Sequence, residues 1–309
     1  MKIIKNLKEL TKDKKKNFFG VTLGNFDGIH LGHQEFLSFM AKDCLQNSFI
    51  PVIATFIPHP KLALGEKKPF LINDYDERRK FFENLGFKYF FEIEFSKNLS
   101  LMNPIQFLDE FLFNRTDIAK IYLGHDFSFG KNKSLGPNTM KEYCLGKKLL
   151  CHFQNEYIFG DESVSSSKIR KFINCGKMSL ANKLLGRPFF ITGNVIKGFG
   201  RGKKIGVPTA NIKFSDDKII PKNGVYITRV EIESEEYNSV TNIGMNPTFN
   251  ISFCSVETHI LNFGLNIYGK TIKVSFLKRI RDEIRFNSVE QLTFQINKDI
   301  EMTKEFFKL

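Results

Sequence analysis

The hydrophobic period of the chain switches at Gly186, and this switch limits the possible folds more than any other feature. Between residue 18 and about 155, short apolar runs (FFGVTLG, FIPVIATF, KYFFEIEF, IAKIYLG) alternate with helix-period segments such as DYDERRKFFENLG and PIQFLDEFLF. Strands separated by helices predict βαβ units and a parallel sheet. Two short helical patterns follow, SSSKIRKFINCG and SLANKLLG. Beyond them the texture becomes Gly-punctuated and β-branched: FITGNVIKG, VPTANIKF, GVYITRVEIE, SVTNIGM, SVETHILNF, KTIKVSFLKRI. These runs predict an antiparallel barrel. The tail, with Leu292, Ile296 and Ile300 at helical spacing, predicts a closing helix packed on it. The expected fold is therefore an α/β domain with a parallel sheet over 1–186 and a small antiparallel β-barrel with a terminal helix over 187–309.

A chain of 309 residues is long enough for each half to bury its own core. Its 46 Lys and Arg against 33 Asp and Glu leave a net charge of +13. That balance suits phosphate-bearing partners, nucleotides or nucleic acid, although the basic residues are spread out, as in a chain that uses lysine for solubility. Neither an RNP-like aromatic strand nor a basic recognition helix is present, which counts against nucleic acid. The five cysteines are scattered, without a CxxC pair or histidines at zinc spacing, so neither a disulfide framework nor a metal cluster is indicated. Lysines interrupt every apolar stretch of the start MKIIKNLKELTKDKKKNFF, and no later segment is long and apolar enough to span a membrane. A soluble protein of the reducing cytoplasm is expected, with its oligomeric state open.

The stretch NFDGIHLGHQ, residues 25–34, stands between the first apolar run and EFLSFMAKDCL, an amphipathic helical pattern. A strand ending at Gly24 and a helix starting near Leu31 place this turn at the carboxyl edge of the sheet, where open α/β sheets bind ligands. Main-chain N–H groups and the positive end of the helix dipole favour phosphate there, and Gly24 lets it come close. His30 and His33, at i and i+3, both face that mouth, where as donors they can steady negative charge on a phosphoryl group under attack. A metal site lacks a third ligand nearby. Two histidines that merely cap a turn are the plainer alternative, and H-x-G-H between a strand and a helix is too specific a combination to favour it.

On this motif the sequence resembles the nucleotidyltransferase superfamily, whose HxGH binds ATP phosphates during adenylyl transfer. Three further stretches, TFIPHP (55–60), LGHDFSFGK (123–131) and SSSKIR (165–170), narrow the resemblance to the bacterial bifunctional riboflavin kinase and FAD synthetase family. The family's usual forms run close to TFxPHP, GxDFxFGK and SSTxIR. The resemblance implies a Rossmann-like, nucleotidyltransferase-type domain in which His30 and His33 are catalytic. It assigns Gly24, Asn25, Phe26, Gly32, Ser166, Ser167 and Arg170 to ATP and its phosphates, and Phe56, His59, Asp126 and Phe127 to flavin or adenine contacts. Taken alone, SSSKIR is also an ordinary N-cap, and LGHDFSFG a turn with core phenylalanines. His125, Ser128 and SLGPNTM (134–140) depart from the family's usual residues.

The second half carries GNVIKGFGRGKKIGVPTANI, residues 193–212. Gly198, Gly200, Gly202 and Gly206 make a loop able to wrap phosphates, with basic residues inside it. Thr209 and Asn211 offer hard oxygen ligands of the kind that place Mg²⁺ on a nucleotide. GxxxxGK[ST] and HRD are absent, so this is neither a Walker loop nor a protein-kinase set. The segment resembles the riboflavin kinase barrel, and the likeness continues through PKNGVYITRV, TNIGMNPTF, VETHILNF, LNIYGK and LKRIRDEIRF. It implies Gly198, Gly202, Lys203, Gly206 and Pro208 at ATP, Thr209 and Asn211 at the metal, Glu257 as catalytic base, and Arg281 and Glu283 at the flavin. By alternation alone Glu257 and His259 share one face of their strand, where a carboxylate is ordinarily an exposed charge, and RIRDEIRF is a solvated turn.

The expectation is an enzyme that phosphorylates riboflavin to FMN with MgATP in its second domain. Its first domain then joins FMN to a second ATP, giving FAD and pyrophosphate, with Mg²⁺ serving both steps. Two alternatives stay open: a chain with an active kinase half and a degenerate adenylyltransferase half, and a basic-barrel nucleic-acid-binding protein.

Overall fold

The computed structural model describes residues 1–10, 18–66, 70–113, 117–125, 127–130, 134–198, 200, 202, 205–248 and 251–309, so Asp126 and Lys203 lie outside the described residues. By their contacts the residues separate into two units, Met1–Ser166 and Ser167–Leu309.

In the first unit the four apolar runs form β2 (Phe18–Leu23), β3 (Phe49–Ile57), β4 (Tyr89–Glu94) and β5 (Ile118–Leu123). Two strands not expected from the sequence, β1 (Lys2–Ile4) and β6 (Leu150–Phe153), complete a sheet ordered β1-β4-β3-β2-β5-β6 and parallel throughout. β1 hides in a lysine-rich start whose Ile4, Leu7 and Leu10 are nevertheless buried. It lies at the sheet edge, where lysines discourage pairing with other chains. Strand order runs outward from β2 in both directions, so the topological switch falls between β2 and β5. Connections leave such a pair toward opposite faces and open a crevice at the carboxyl ends. The 25–34 turn leaves β2 and LGHDFSFGK leaves β5, which puts both motifs on that crevice.

Helix α1 (Leu31–Gln46) buries Phe36, Leu37, Met40 and Cys44, one stripe at helical spacing. It lies so close to β2 that a Cβ on Gly20 would run into the Cys44 sulfur. A short α2 (Pro60–Ala63) follows β3. Helix α3 (Tyr75–Asn84) opens on a capping box, in which Asp74 Oδ1 accepts the Glu77 N–H at 2.8 Å and Glu77 Oε2 accepts the Asp74 N–H at 3.1 Å. After β4 come α4 (Lys97–Leu101), α5 (Pro104–Phe107) and a π-helical stretch to Phe113. Within SLGPNTM, Gly136 is the N-cap and the last four residues open α6 (Pro137–Gly146), with Pro137 at the first helical position where its missing N–H costs nothing. A small hairpin, β7 (Ile158–Phe159) and β8 (Glu162–Ser163), leads to α7 (Ser166–Asn174).

The second unit holds α8 (Met178–Leu185) and a closed antiparallel barrel ordered β10-β13-β12-β11-β14-β9. Its strands are β9 (Phe189–Ile196), β10 (Ala210–Lys213), β11 (Gly224–Ile232), β12 (Glu235–Thr248), β13 (Ile251–Ile260) and β14 (Thr271–Arg281). β9 closes the barrel by changing partners, pairing with β14 up to Asn194 and with β10 from Asn194 onward. At that corner a Cβ on Gly193 would collide with the Lys213 carbonyl, so glycine is what permits the close crossing. The barrel interior carries a hydroxyl ladder: Thr228 bonds Ser239 and Thr241 at 2.7 Å each, and Thr241 bonds Thr258 at 2.9 Å, all fully buried. Mutual pairing removes the cost of leaving these groups dry.

The terminal helix α9 (Val289–Phe307) starts at the Ser288 cap. Its apolar stripe is where the spacing put it. Leu292, Ile296 and Ile300, however, are only half-buried, because they roof a cavity beside the barrel rather than seal against it. The residues of α9 that are fully buried are polar, Asp299 and Thr303.

Candidate active sites

In the first unit, the turn after β2 is built on left-handed backbone at Phe26 (φ 48°), Gly28 (φ 87°) and Ile29 (φ 38°). Two of these are not glycine, and such conformations persist only where the surroundings enforce them. Enforcement comes from the Phe26 ring, which turns into the core against Phe36 and Phe82 and meets the His33 ring at 5.3 Å. Phe26 thus offers a ligand its main chain only. The Asp27 carboxylate accepts the N–H groups of Ile72 and Asn73 at 3.0 Å, and the Asp27 carbonyl accepts the Ser166 hydroxyl at 2.8 Å. The start of α7 is thereby tied to the glycine turn. Ser167 and Arg170 follow on α7 and belong to the second unit.

His30 is the N-cap of α1, and its Nδ1 accepts the His33 N–H at 3.3 Å. That amide, expected to be open to phosphate, is occupied by the His30 ring. A neutral imidazole that accepts at Nδ1 carries its proton on Nε2, so His30 keeps Nε2–H as its donor. The two imidazoles stack with centroids 3.7 Å apart. Asn25 belongs to the same turn, and its carbonyl accepts Arg78 Nη1 at 2.5 Å. Gly32 brings the first turn of α1 against Tyr157.

The remaining expected contacts of this unit lie on the neighbouring loops. His59 caps α2 through Nδ1 and donates its N–H to the Tyr75 hydroxyl at 2.8 Å. The Phe56 ring is 4% exposed, stacked on Phe129 with centroids 5.6 Å apart, and Phe127 is half-buried against the same cluster. The core therefore holds Phe56, and the half-buried Phe127 packs beside it, as the core reading of the phenylalanines in LGHDFSFG allows. Sequence reasoning passed over Asp27, Tyr75 and Arg78. Asp27 stood within the quoted motif, but its main-chain partners and Arg78 are remote in sequence.

In the second unit, β10 and β13 pair Asn211 with Glu257, and Thr209 Oγ1 donates to Glu257 Oε2 at 3.4 Å. Val256 and Thr258 point into the barrel, and Glu257 and His259 point out, as alternation requires. The glycine loop packs onto these residues, since a Cβ on Gly198 would strike the Asn211 amide and one on Gly202 the Val207 carbonyl. Gly206 is left-handed (φ 80°), and the Pro208 carbonyl meets His259 Nδ1 at 2.8 Å. Thr209, Asn211 and Glu257 form a cluster of hard oxygen donors that fits Mg²⁺, which on a nucleotide takes only one or two protein ligands beside phosphates and water. Among the described residues no group of three His, Cys, Asp or Glu is gathered.

Glu257 and Thr209 line a cavity of about 620 Å³ between the outer barrel face and α9, together with Val225, Val240, Leu292 and Ile296. Arg281 and Glu283 sit on its rim. Arg281 Nη2 bonds Asp299 Oδ2 at 2.7 Å and its Nε bonds Asp299 Oδ1 at 3.0 Å; Glu283 Oε2 accepts the Asn223 amide at 3.0 Å. Asp299 is 2% exposed, and a buried carboxylate of this kind requires its guanidinium. Its signal in the sequence is a charged residue on the apolar stripe of α9. A second cavity of about 350 Å³, lined by Val195, Pro208, Thr209, Ile260, Phe263 and Tyr268, lies on the other side of Thr209. Nearby, hydrogen bonds from Arg279 and Lys222 hold the exposed Asp282 carboxyl well below the usual carboxylate range.

Residues 12–168 match the FAD synthetase family model and residues 185–307 the riboflavin kinase model. The chain is 36% identical over 294 residues to the bifunctional riboflavin kinase/FMN adenylyltransferase of Bacillus subtilis (strain 168), covering 93% of this chain and 92% of that protein. It is 34% identical to the enzyme of the same description from Buchnera aphidicola subsp. Schizaphis graminum (strain Sg), over all of both chains. A crystal structure of a Streptococcus pneumoniae protein named a macrolide-efflux protein superposes with a TM-score of 0.86 and 32% identity over 98% of both chains. Among the described residues no helix is long and apolar enough to cross a membrane. Two sites, two family models and full-length relatives agree, and the chain belongs to the bifunctional riboflavin kinase/FMN adenylyltransferase family, phosphorylating riboflavin to FMN and adenylylating FMN to FAD.

Proposed function

We propose that phosphorylation of riboflavin is confined to the second unit and that adenylyl transfer centres on the glycine turn of the first, with residue roles as follows. Riboflavin occupies the 620 Å³ cavity, its ring system against the apolar stripe of α9 and its rim contacts at Arg281 and Glu283. Its 5′-hydroxyl reaches Glu257, which accepts the proton as the oxygen attacks the γ-phosphorus; a new P–O bond forms and the bond from that phosphorus to the leaving ADP breaks. ATP takes the second cavity, with Pro208 beside the base and the loop of Gly198, Gly202, Lys203 and Gly206 around the phosphates. Thr209 lines both cavities, and this single observation carries the reading: it is the point across which a phosphoryl group passes between them. Thr209 and Asn211 would hold Mg²⁺, which supplies charge neutralisation on the phosphates when bound.

In the first unit, a phosphate oxygen of FMN attacks the α-phosphorus of ATP; a new P–O bond forms and the bond to the leaving pyrophosphate breaks. FMN phosphate is already anionic near neutrality, so no side chain need act as base. His30 through Nε2–H and His33 stabilise the charge on the transferring group. Gly24, Asn25 and Gly32 let ATP approach the turn, and Ser166, Ser167 and Arg170 hold the departing pyrophosphate. His59, Asp126 and Phe127 are assigned to the flavin or adenine, with Phe56 held in the core. Mg²⁺ accompanies ATP here as well.

Confinement is tested with fragments. A chain cut to 167–309 is expected to fold and phosphorylate riboflavin with MgATP while making no FAD. A chain cut to 187–309 keeps every kinase residue but loses α8, whose Asn182 bonds the Phe276 carbonyl at 2.8 Å and the Phe189 N–H at 2.7 Å. With α8 gone, its buried Met178, Leu184 and Leu185 leave apolar barrel surface bare, so lower solubility with retained kinase activity is expected. A soluble, cooperatively melting 167–309 fragment without kinase activity would show that phosphorylation draws on the first unit.

A further inference from the structure

Behind the glycine turn, α3 presents a guanidinium with no counterpart in the roles above. Arg78 is fully buried, a rare state for arginine. Its Nη1 donates to the Asn25 carbonyl at 2.5 Å, and its guanidinium carbon lies 4.6 Å from the centre of the Tyr75 ring. Tyr75 in turn accepts the main-chain N–H of His59. Burial pulls the Arg78 guanidinium below its ordinary pKa, and the Asp27 carboxylate opposes that shift. Among the described residues, neither Nε nor Nη2 finds a hydrogen-bond partner. A buried cation with two unspent donors is costly, and it is kept where a specific geometry is needed.

That geometry is the left-handed turn itself. Phe26 and Ile29 hold positive φ without being glycine, so the turn from which His30 and His33 project must be pinned from outside. Its carbonyl at Asn25 and its carboxylate at Asp27 are the two points where α3 and the segment before it take hold. One turn earlier on α3, Tyr75 takes hold of the PHP loop.

We infer that Arg78 is a positioning residue for adenylyl transfer, clamping the Asn25 carbonyl so that the two histidines meet the α-phosphate, with Tyr75 coupling the same helix to His59. This rests on the reading that the glycine turn is the adenylyl-transfer site. The competing role is plain charge balance for Asp27, and the two separate in a double-mutant cycle. In an Asp27→Asn background, where the Asp27 carboxylate no longer needs balancing, Arg78→Met is expected to lower kcat for FAD from FMN by about tenfold or more, because small misplacements of reacting groups cost up to ~10²-fold. KM for FMN and ATP should stay within about twofold of the Asp27→Asn value. An unchanged kcat would reduce Arg78 to a counter-charge and overturn the inference.

Should that pair not fold, Arg78→Lys in the natural background, which keeps the charge, gives the reading. A lowered kcat at an unchanged melting temperature supports clamping, and a parental kcat overturns it. His33→Ala runs in parallel. If it too retains full FAD synthesis, the reading of the turn itself falls; if it alone is impaired, only the role of Arg78 does.

Discussion

Replacing His33 by alanine is expected to lower FAD formation from FMN and ATP by about 10²-fold or more, while riboflavin is still converted to FMN at the parental rate. A preorganised donor aimed at developing charge on a transferring phosphoryl group is worth roughly 3 kcal/mol of transition-state stabilisation. His33 lies in the first turn of α1, its ring stacked on that of His30 and edge-on to Phe26. Alanine keeps the helix, and the His33 main-chain N–H still bonds His30, so the loss is chemical rather than structural. Chromatographic separation of FMN and FAD over time measures it. FAD production from supplied FMN at the parental rate would remove His33 from the mechanism.

Glu257→Gln is expected to produce the complementary defect. Losing a positioned general base costs ~10²–10⁴-fold, so riboflavin phosphorylation should all but cease, while added FMN still becomes FAD. The substitution preserves shape: glutamine can accept from Thr209 as Glu257 does at 3.4 Å, and the Asn211–Glu257 register is set by main chain. The barrel interior is untouched because Glu257 points out of it. A variant that phosphorylates riboflavin at the parental rate would demote Glu257 to a surface charge.

What the sequence disclosed about these sites follows from the range of the interactions. Strand, glycine turn and histidine spacing at 25–34 are local, and so is the switch from alternating strands and helices to continuous β-branched runs; both survive into the structure. The placement of Glu257 was legible because a strand's period decides its face. What α9 would face was not legible. Its period marks Leu292, Ile296 and Ile300 as one apolar stripe, yet only tertiary packing makes that stripe the roof of a cavity. The hydrogen bond from Arg78 to the Asn25 carbonyl, the Arg281–Asp299 pair and the tether from Ser166 to Asp27 all join residues distant in sequence. Strand β1 escaped notice because three residues carry too little period to stand out among lysines. Capping by the histidines was the plainer alternative at 25–34, and His30 does cap α1, in a turn whose left-handed residues bring its ring onto the His33 amide.

The two-site assignment is tested most directly by mixing. Full-length His33→Ala and Glu257→Gln chains, each unable to convert riboflavin to FAD alone, are combined in equal amounts with riboflavin and MgATP, and the flavins are followed by chromatography. FMN released by the first chain should be taken up by the second, so FMN rises first and FAD follows after a lag. Mixed chains that accumulate FMN without FAD, although the Glu257→Gln chain adenylylates added FMN, or that yield neither product, would contradict two independent sites linked by free FMN.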